Sequence, residues 1–504
     1  MGAIVVTGLA ANDPVPGSYI EVNFAQGEAA GSSRARSICL LGNRTTSGSA
    51  TVDTVIYGPD TNVQLQTEAD AIALFGAGSE LHRMFRRVVA VNRDTAVYAV
   101  AVTESAGTNA TGTITFTNNA TGNGSARIWV HDEFVDVAFA SGDTPTVMAD
   151  AAVLAINQRT HWGVTASNVA GVITITAKQK GPRGNFIRYQ TTITSGVATT
   201  LTPTADTAMT GGATADSNAT ALTTILPKFF YYIVSAAEDA TQLGALVTQI
   251  GTQAAPTVGI RQVCFGGSVD TLANATTVAT GRNSARCEIV WQERSNWTPS
   301  ELAANQAAIE AQFETAPNPR TNFAGFGNDP TTQAYWQVPA QRGVTYHPSR
   351  ISIKSALNNG LTPIGVNPSG TTYLVDRATT RSLSGAVNDY RIREPHKVRI
   401  CDFFGDDVQA KLLLQFAGKR IANDVPQGAR PPGPDVATPS VVRGAVLRVI
   451  DDYDSNDLWD DAQKVRDGLL VQRETSPTTR MGIRVPARPC ANLTQFAVQV
   501  NQVT

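Results

Sequence analysis

The chain has 504 residues, of which 42% are hydrophobic and only 16% are charged. This length predicts several domains, and the hydrophobic share is sufficient for packed cores. The formal net charge of −2 gives no electrostatic basis for binding nucleic acid or an anionic membrane. Arginine outnumbers lysine, which suits bidentate ion pairs at protein interfaces, although a GC-rich genome would produce the same bias.

The ends and the cysteines of the chain indicate where it is made. Residues 1–14 contain neither a basic region nor a long apolar run, so we expect no signal peptide. No segment approaches the roughly 20 apolar residues of a membrane-spanning helix. The five cysteines are scattered and form no C-x-x-C pair, which predicts reduced, buried thiols. We therefore expect synthesis in a cytoplasm.

An alternating, strand-like segment lies near each end of the chain. Either both strands complete a sheet of their own domain, or each is donated to a sheet of another subunit. The 18 residues before the first strand could span about 60 Å when extended, so length permits donation. The candidate contact residues are Tyr19, Ile20, Val22 and Phe24 in the first segment and Phe496, Val498 and Val500 in the second.

A strand, helix, strand pattern begins after the first segment. The apolar runs at residues 37–43 and 96–102 predict buried strands. Between them, Thr67 with Asp70 forms a capping-box pattern, and Ser79 is placed to cap a second helix after the break "FGAG". This order is the start of an α/β layer.

Residues 104 to about 226 are rich in Thr, Ala, Gly and Asn and predict an inserted β-rich module. One helix, at residues 144–159, has the predicted apolar face Ala151, Leu154 and Ala155. We expect residues 207–220 to be a flexible return linker. The strands could form one sheet or a small barrel. The predicted strands are residues 112–119, 127–139, 171–181 and 185–196.

The α/β pattern resumes after the insert, and the last third is richer in charge. Strands are predicted at residues 229–237, 260–267 and 286–292. The fold class is α/β and α+β multidomain, an α/β core with an inserted β-rich domain and extended terminal strand arms. The predicted domains are an N-terminal arm at 1–37, an α/β core at 38–103 and 222–340, the inserted domain at 104–221, a C-terminal α+β domain at 341–480 and a C-terminal arm at 481–504.

Motifs for common chemistry are missing from the sequence. There is no G-x-x-x-x-G-K-[ST] phosphate loop, no G-x-S-x-G elbow and no pair of histidines at metal-ligand spacing. Asp452, Asp454 and Asn456 match a calcium loop, but Asp457 and Gln463 stand where glycine and glutamate are required. Residues 180–188 predict a tight loop between strands, with anion binding as the alternative. We expect no enzyme, no cofactor and no metal.

Several segments together resemble the tail sheath protein of Mu-like contractile-tail bacteriophages. They include residues 16–24, 37–44, 73–86 and 180–188 and the closing strand. The resemblance implies stacked six-fold rings around a tail tube, with strand arms added to sheets of neighbouring subunits. It also implies that the inserted domain at 104–221 faces outward and that the C-terminal domain at 341–480 is an inner domain. It implies contraction from a metastable extended state that drives the tube through the host envelope, with Arg–carboxylate contacts between subunits as candidates for the switch. The implied partners are further copies of the chain, the tail tube protein, and baseplate and tail terminator proteins, in a virion assembled in the host cytoplasm.

Other functions stay open at this point. They are an α/β nucleotide-binding enzyme, a surface or adhesin-like protein built around the insert, and a tail tube or other virion structural protein. The helices predicted at residues 406–423 and 457–470 are candidates for facing the tube, or else form a solvated face of their own domain.

Overall fold

A mixed, seven-stranded sheet lies at the centre of the fold. The computed structural model describes residues 37–194, 197–237, 239–313, 338–342, 348–367, 370–385, 387–426, 430 and 433–491. The strand order is β15-β14-β13-β12-β11-β1-β2; all pairings are parallel except the one between β14 and β15. The strands are β1 Ile38–Asn43, β2 Val97–Val102, β11 Tyr232–Ser235, β12 Val263–Ser268, β13 Cys287–Trp291, β14 Thr362–Val366 and β15 Thr372–Leu374.

Helices cover both faces of this sheet, because every central strand is apolar on both sides. Leu40 and Val234 pack in one hydrophobic cluster, whereas Cys39 and Ile233 pack in another on the opposite face. The predicted capping box at Thr67 and the cap at Ser79 are confirmed. The helices are α1 Glu68–Phe75, α2 Glu80–Val91, α4 Ala219–Ile225, α5 Ala240–Gln253, α6 Leu272–Arg282, α7 Pro299–Phe313 and α8 Arg350–Asn358.

The insert between β2 and α4 has a separate hydrophobic core. It contains two four-stranded antiparallel sheets, with strand orders β10-β8-β4-β5 and β6-β7-β3-β9, rather than one sheet. A short 3-10 helix at Pro182–Phe186 joins β7 to β8. The elements are β3 Asn109–Thr117, β4 Gly124–Val130, β5 Glu133–Phe139, α3 Pro145–Gln158, β6 Val164–Val169, β7 Val172–Lys180, β8 Arg188–Ile193, β9 Thr200–Thr202 and β10 Thr207–Ala208.

Three predictions for the insert were wrong. The single strand at residues 127–139 is a hairpin, which turns at His131 with a φ of 54°. Of the predicted face of α3, Ala151 and Leu154 are turned outward, with Leu154 62% exposed, and only Ala155 packs at the margin of the core. The buried face comprises Met148, Ala149, Ala152 and Ile156. Residues 207–220 are not a flexible linker, since Met209 and Asp216 are buried and β10 belongs to a sheet.

The C-terminal part packs three helices against the same core as α2 and α7. The two helices predicted as candidates for facing the tube have other bounds in the structure. The helix predicted at 406–423 ends at Phe416, and the helix predicted at 457–470 spans only Ala462–Gly468. The predicted fold class is confirmed, while the domain boundaries stay a prediction. The elements are β16 Leu383–Ser384, β17 Val387–Asn388, α9 Pro395–Phe416, β18 Arg420–Ile421, β19 Val436–Ala437, α10 Pro439–Asp454, α11 Ala462–Gly468, β20 Leu470–Arg473 and β21 Met481–Arg484.

Candidate functional site

The seven predicted strand-contact residues lie outside the part of the chain that the structure describes. They are Tyr19, Ile20, Val22, Phe24, Phe496, Val498 and Val500. Their contacts therefore stay a prediction. The structure does describe surfaces that can accept a strand and charged contacts that hold the subunit together.

The β20–β21 hairpin is the described element best suited to accept another strand. Val471 pairs with Ile483 in an antiparallel register, and both side chains pack against the main core. Among the described residues, no third strand joins this pair. A two-stranded sheet is marginal by itself, and its unpaired backbone groups are a template for further strands.

The carboxyl end of β1 is covered by the insert. The chain runs from β1 to β2 on one side and later to β11 on the other, and open α/β sheets bind ligands at the carboxyl ends of the strands beside such a switch point. Arg183, from the 3-10 helix of the insert, binds Asn43, Glu80 and Asp216 there. Its Nη2 lies 2.7 Å from Asp216 Oδ2, and both carboxylates are almost fully buried.

Glycine at position 42 allows this close packing. A Cβ atom at Gly42 would lie 3.3 Å from Glu80 Oε2 and from Met84 Sδ. That distance is tighter than ordinary van der Waals contact, so a larger residue would push against the carboxylate that Arg183 binds. The loop predicted at residues 180–188 is thus a tight connection whose arginine reaches the core.

A second ionic contact joins the insert to α2 and α7. Arg87 Nε lies 3.0 Å from Glu301, its Nη2 lies 3.2 Å from Asp132, and its guanidinium stacks 3.8 Å from the centre of the Trp297 ring. Arg83 Nη1 also binds Glu301, at 3.1 Å. Burial alone would raise the pKa of Glu301, but Arg87 and Arg83 outweigh it and hold that pKa below its ordinary value.

The imidazole of His131 is buried within this contact. Burial, with Arg83 adding to it, lowers the pKa of His131 to about 4. The ring is therefore neutral at pH 7. The backbone carbonyl oxygen of His131 accepts a hydrogen bond from Arg342, which lies beyond α7 in the sequence.

A third ionic network attaches α9 to the central sheet. Asp402 on α9 accepts two hydrogen bonds from Arg286, one of 2.6 Å. Asp406, one helical turn further along α9, accepts a hydrogen bond from Arg261. All of these side chains are buried. Bidentate Arg–carboxylate pairs impose both distance and orientation, so they fix α9 relative to the sheet.

Glu288 and Glu310 form the deepest part of this attachment. Arg399 of α9 binds both carboxyl groups, and Arg377 lies 3.1 Å from Glu310. Burial, followed by the adjacent Glu310, raises the pKa of Glu288 well above its ordinary value. Two adjacent carboxyl groups in a buried site oppose each other's ionisation, which is why the pKa is raised on one of them.

The described residues contain no arrangement typical of a metal centre or a thiol nucleophile. They hold no group of three or more His, Cys, Asp or Glu side chains that could bind a metal ion. In the calcium-like segment, Asp454 instead pairs with Arg466 at 2.6 Å. All five cysteines are free and four are buried; burial raises the pKa of the Cys39 thiol. None of the described helices is both long and apolar enough to cross a membrane.

The chain is similar to known proteins over nearly its whole length. No family model matches it. Over 482 residues it is 24% identical to the "Mu-like prophage FluMu tail sheath protein" of Haemophilus influenzae, and the match covers 93% of each chain. The chain is a relative of a Mu-like tail sheath protein. The resemblance expected from the sequence is therefore confirmed.

Solved structures of sheath proteins also match. The sheath tail protein of Desulfitobacterium hafniense is 12% identical, with a TM-score of 0.45, over 94% of this chain and 100% of that one. The contracted helical sheath of the anti-feeding prophage is 11% identical, with a TM-score of 0.43, over 97% and 99%.

Proposed function

We propose that the chain is a structural, non-enzymatic subunit of a contractile phage tail sheath. The observation that carries this proposal is its relation to a Mu-like tail sheath protein over 93% of both chains. In this role, copies of the chain form stacked six-fold rings around a tail tube in the virion, after synthesis in the host cytoplasm. Baseplate and tail terminator proteins contact the two ends of this sheath.

The contact of the insert with the carboxyl end of β1 supports this role over a nucleotide-binding enzyme. A nucleotide bound at that end would have to displace Arg183 from Glu80 and Asp216, and so leave two buried carboxylates without their cation. Removing the partner of a buried charge strongly destabilises a folded protein. The energy for contraction is then stored in the assembled lattice rather than supplied by hydrolysis, as a metastable packing that relaxes when triggered.

The strand arms would hold the lattice together during contraction. We propose that residues 19–24 and 493–503 of other copies pair with the open β20–β21 hairpin. Each added backbone hydrogen bond contributes about 0.5 to 1.5 kcal/mol, and repetition along the lattice makes the whole effectively permanent. The extended arms act as tethers, so the rigid subunit bodies can rotate and slide without losing their neighbours.

The tube-facing surface remains a prediction on α9 and α11. The first half of α9 is fixed to the sheet by Asp402 and Asp406. The second half leaves Leu413 and Leu414 exposed, the latter by 85%. This free half is therefore the part of the predicted 406–423 segment that is available to the tube.

Electron microscopy of the purified chain tests the proposal. We expect hollow, ringed tubes from the full chain and dispersed particles from a variant lacking residues 1–24 and 493–504. The triple variant I20N/V22N/F24N, which removes one apolar strand face, should also disperse. A control on the opposite face, E21Q/N23S, should form tubes as the unchanged chain does. Dispersed monomers from the full chain would reject the sheath assignment.

A further inference from the structure

Helix α3 closes the gap between the two sheets of the insert. It contacts β5, an outer strand of one sheet, and β6, an outer strand of the other. The side chain of Asn157 seals the outer edge of β6, because it accepts a hydrogen bond from the Ala166 amide and donates one to the Ala166 carbonyl oxygen, both of 2.9 Å. No described strand pairs with the outer edge of β5. This side of the insert is therefore incomplete in a single copy of the chain.

The outward face of α3 is an exposed apolar stripe. Val147, Ala151 and Leu154 lie at helical spacing opposite the buried face, and both Val147 and Leu154 are more than half exposed. None of these three side chains belongs to the hydrophobic core of the insert. Gln158, which is also exposed, ends the stripe one turn further along. An apolar stripe at this spacing is typical of a helix that packs against another helix.

Opposite charges stand at the two ends of the same helix. Asp143 and Asp150 lie at its N-terminal end, and Arg159 follows its last residue. Among the described residues, none of these three makes an ion pair; Asp143 and Asp150 accept hydrogen bonds from neutral groups, the Ala140 amide and the Asn168 side chain. The other charged groups beside the helix have partners within the chain: Asp136 with Arg127, Glu133 with Arg86 and His161, and Lys178 with the carbonyl oxygens of Ala77 and Thr160.

We propose that α3 is a docking surface for α3 of a second copy of this chain, packed antiparallel about a two-fold axis beside the middle of the helix. In this arrangement Leu154 of each copy packs against Ala151 of the other, so a large side chain meets a small one. Arg159 of each copy then lies between Asp143 and Asp150 of the other. Each contact occurs twice, because a two-fold contact uses the same surface on both copies.

The charges favour this orientation over a parallel one. A parallel pair would bring Asp150 beside Asp150 and Arg159 beside Arg159, and like charges in an interface are unfavourable. The stripe from Val147 to Gln158 is about 16 Å long. One helix face of this length is smaller than a standard protein–protein interface, so we expect pairing that is weak and depends on concentration.

This contact is separate from the contacts that build a sheath. Rings that are stacked in one direction around a tube contain no two-fold axis between neighbouring subunits, so the pairing belongs to free copies of the chain. It rests on the surface of the insert and not on the proposed function.

Sedimentation velocity of the full-length chain tests the pairing. The parent chain carries I20N/V22N/F24N, which should prevent polymerisation, and any tubes are first removed by centrifugation. In that chain A151E/L154E places carboxylates against each other in the middle of the contact, R159E and D150R each reverse one charge, and D150R/R159E exchanges the charges. The control I351E introduces the same charge at an exposed apolar residue of α8 in the core. Circular dichroism checks that each variant is folded.

We expect the parent chain to shift from monomer to dimer as its concentration rises through the micromolar range, and I351E to behave in the same way. A151E/L154E should raise the dissociation constant by about 10-fold or more. R159E and D150R should each raise it by a smaller factor, and D150R/R159E should recover most of that loss.

Three results would overturn the inference. They are a parent chain that stays monomeric at about 100 μM, dimers that persist unchanged in A151E/L154E, and a charge-exchange variant that dimerises no better than R159E. Tube formation by the unchanged chain is a separate measurement, so the sheath assignment can fail while this contact stands, and the reverse.

Discussion

The guanidinium of Arg183 compensates two carboxylates that have almost no access to water. The side chains of Glu80 and Asp216 are 3% and 2% exposed. The sequence predicted a tight loop here and not this contact, because a single sequence does not reveal which distant charges will meet. The only signal was composition, since arginine suits buried bidentate pairs.

Removing this guanidinium should destabilise the whole chain. We expect Arg183→Ala to lower the free energy of unfolding by about 3 to 5 kcal/mol, because it leaves two buried carboxylates unpaired. Urea denaturation followed by circular dichroism measures the change. The control is Arg127→Ala, which breaks an exposed pair with Asp136 and should have little effect. Equal effects of the two variants would contradict the role given to Arg183.

Two buried histidines should make the free energy of unfolding depend on pH in the acidic range. Burial lowers the pKa of His131 and of His396 to about 4, whereas an unfolded histidine titrates near 6.5. The unfolded chain therefore binds more protons between these values, so stability falls as pH drops from about 6.5 to about 4. The loss should reach about 3 kcal/mol for each histidine.

Unfolding curves at stepped pH values check this dependence. His131→Asn removes one titrating group and keeps a residue that tolerates the positive φ of 54°. We expect its stability to vary less between pH 6.5 and 4 than that of the unchanged chain. A slope identical to that of the unchanged chain would show that His131 does not titrate in this range.

The orientation of α3 illustrates the limit of pattern analysis for one element. Residues Ala151, Leu154 and Ala155 form an apolar stripe at helical spacing, but so do Met148, Ala149, Ala152 and Ile156. A helix that is apolar on two sides can be buried on either. The packing of the two sheets of the insert decides the question, and that information is not local.

The two faces of α3 should respond differently to truncation. Ile156 is fully buried in the core of the insert, whereas Leu154 is 62% exposed. We expect Ile156→Ala to lower the free energy of unfolding by about 2 to 5 kcal/mol, through lost burial and a remaining cavity. Leu154→Ala should change it by less than about 1 kcal/mol. The two variants are compared by thermal unfolding, and a larger effect at Leu154 would reverse the orientation.

Strands were easier to predict in the core than in the insert. Residues 37–43 and 96–102 read as continuous apolar runs because parallel strands are buried on both faces, and both are strands in the structure. The hairpin at residues 127–139 was missed because its turn lacks the Asn-Gly or Asp-Gly signal. His131 adopts the positive φ instead.

At the scale of the whole molecule, the order of elements was predictable and the contacts between units were not. Alternating strands and helices predicted the α/β core, and the change in composition located the insert. Small polar residues at 207–220 suggested flexibility. In the structure this segment is instead hydrogen-bonded to the start of the insert. Asp216 accepts a hydrogen bond from the Ser105 amide at 2.5 Å, and the backbone carbonyl oxygen of Thr214 accepts one from the Ser105 hydroxyl at 2.7 Å.

Because the two ends of the insert meet, the insert can be removed without stretching the core. Replacing residues 106–213 by two glycines should leave a folded core, since that core has its own hydrophobic clusters. The insert has a separate cluster, and the charged groups that its removal uncovers, such as Glu80 and Arg87, regain water. If the insert faces outward in the sheath, the shortened chain should still form tubes, and these should be thinner. Negative-stain microscopy measures the outer diameter, and circular dichroism confirms that the shortened chain is folded. A folded core that forms no tubes would instead place the insert within the contacts between subunits.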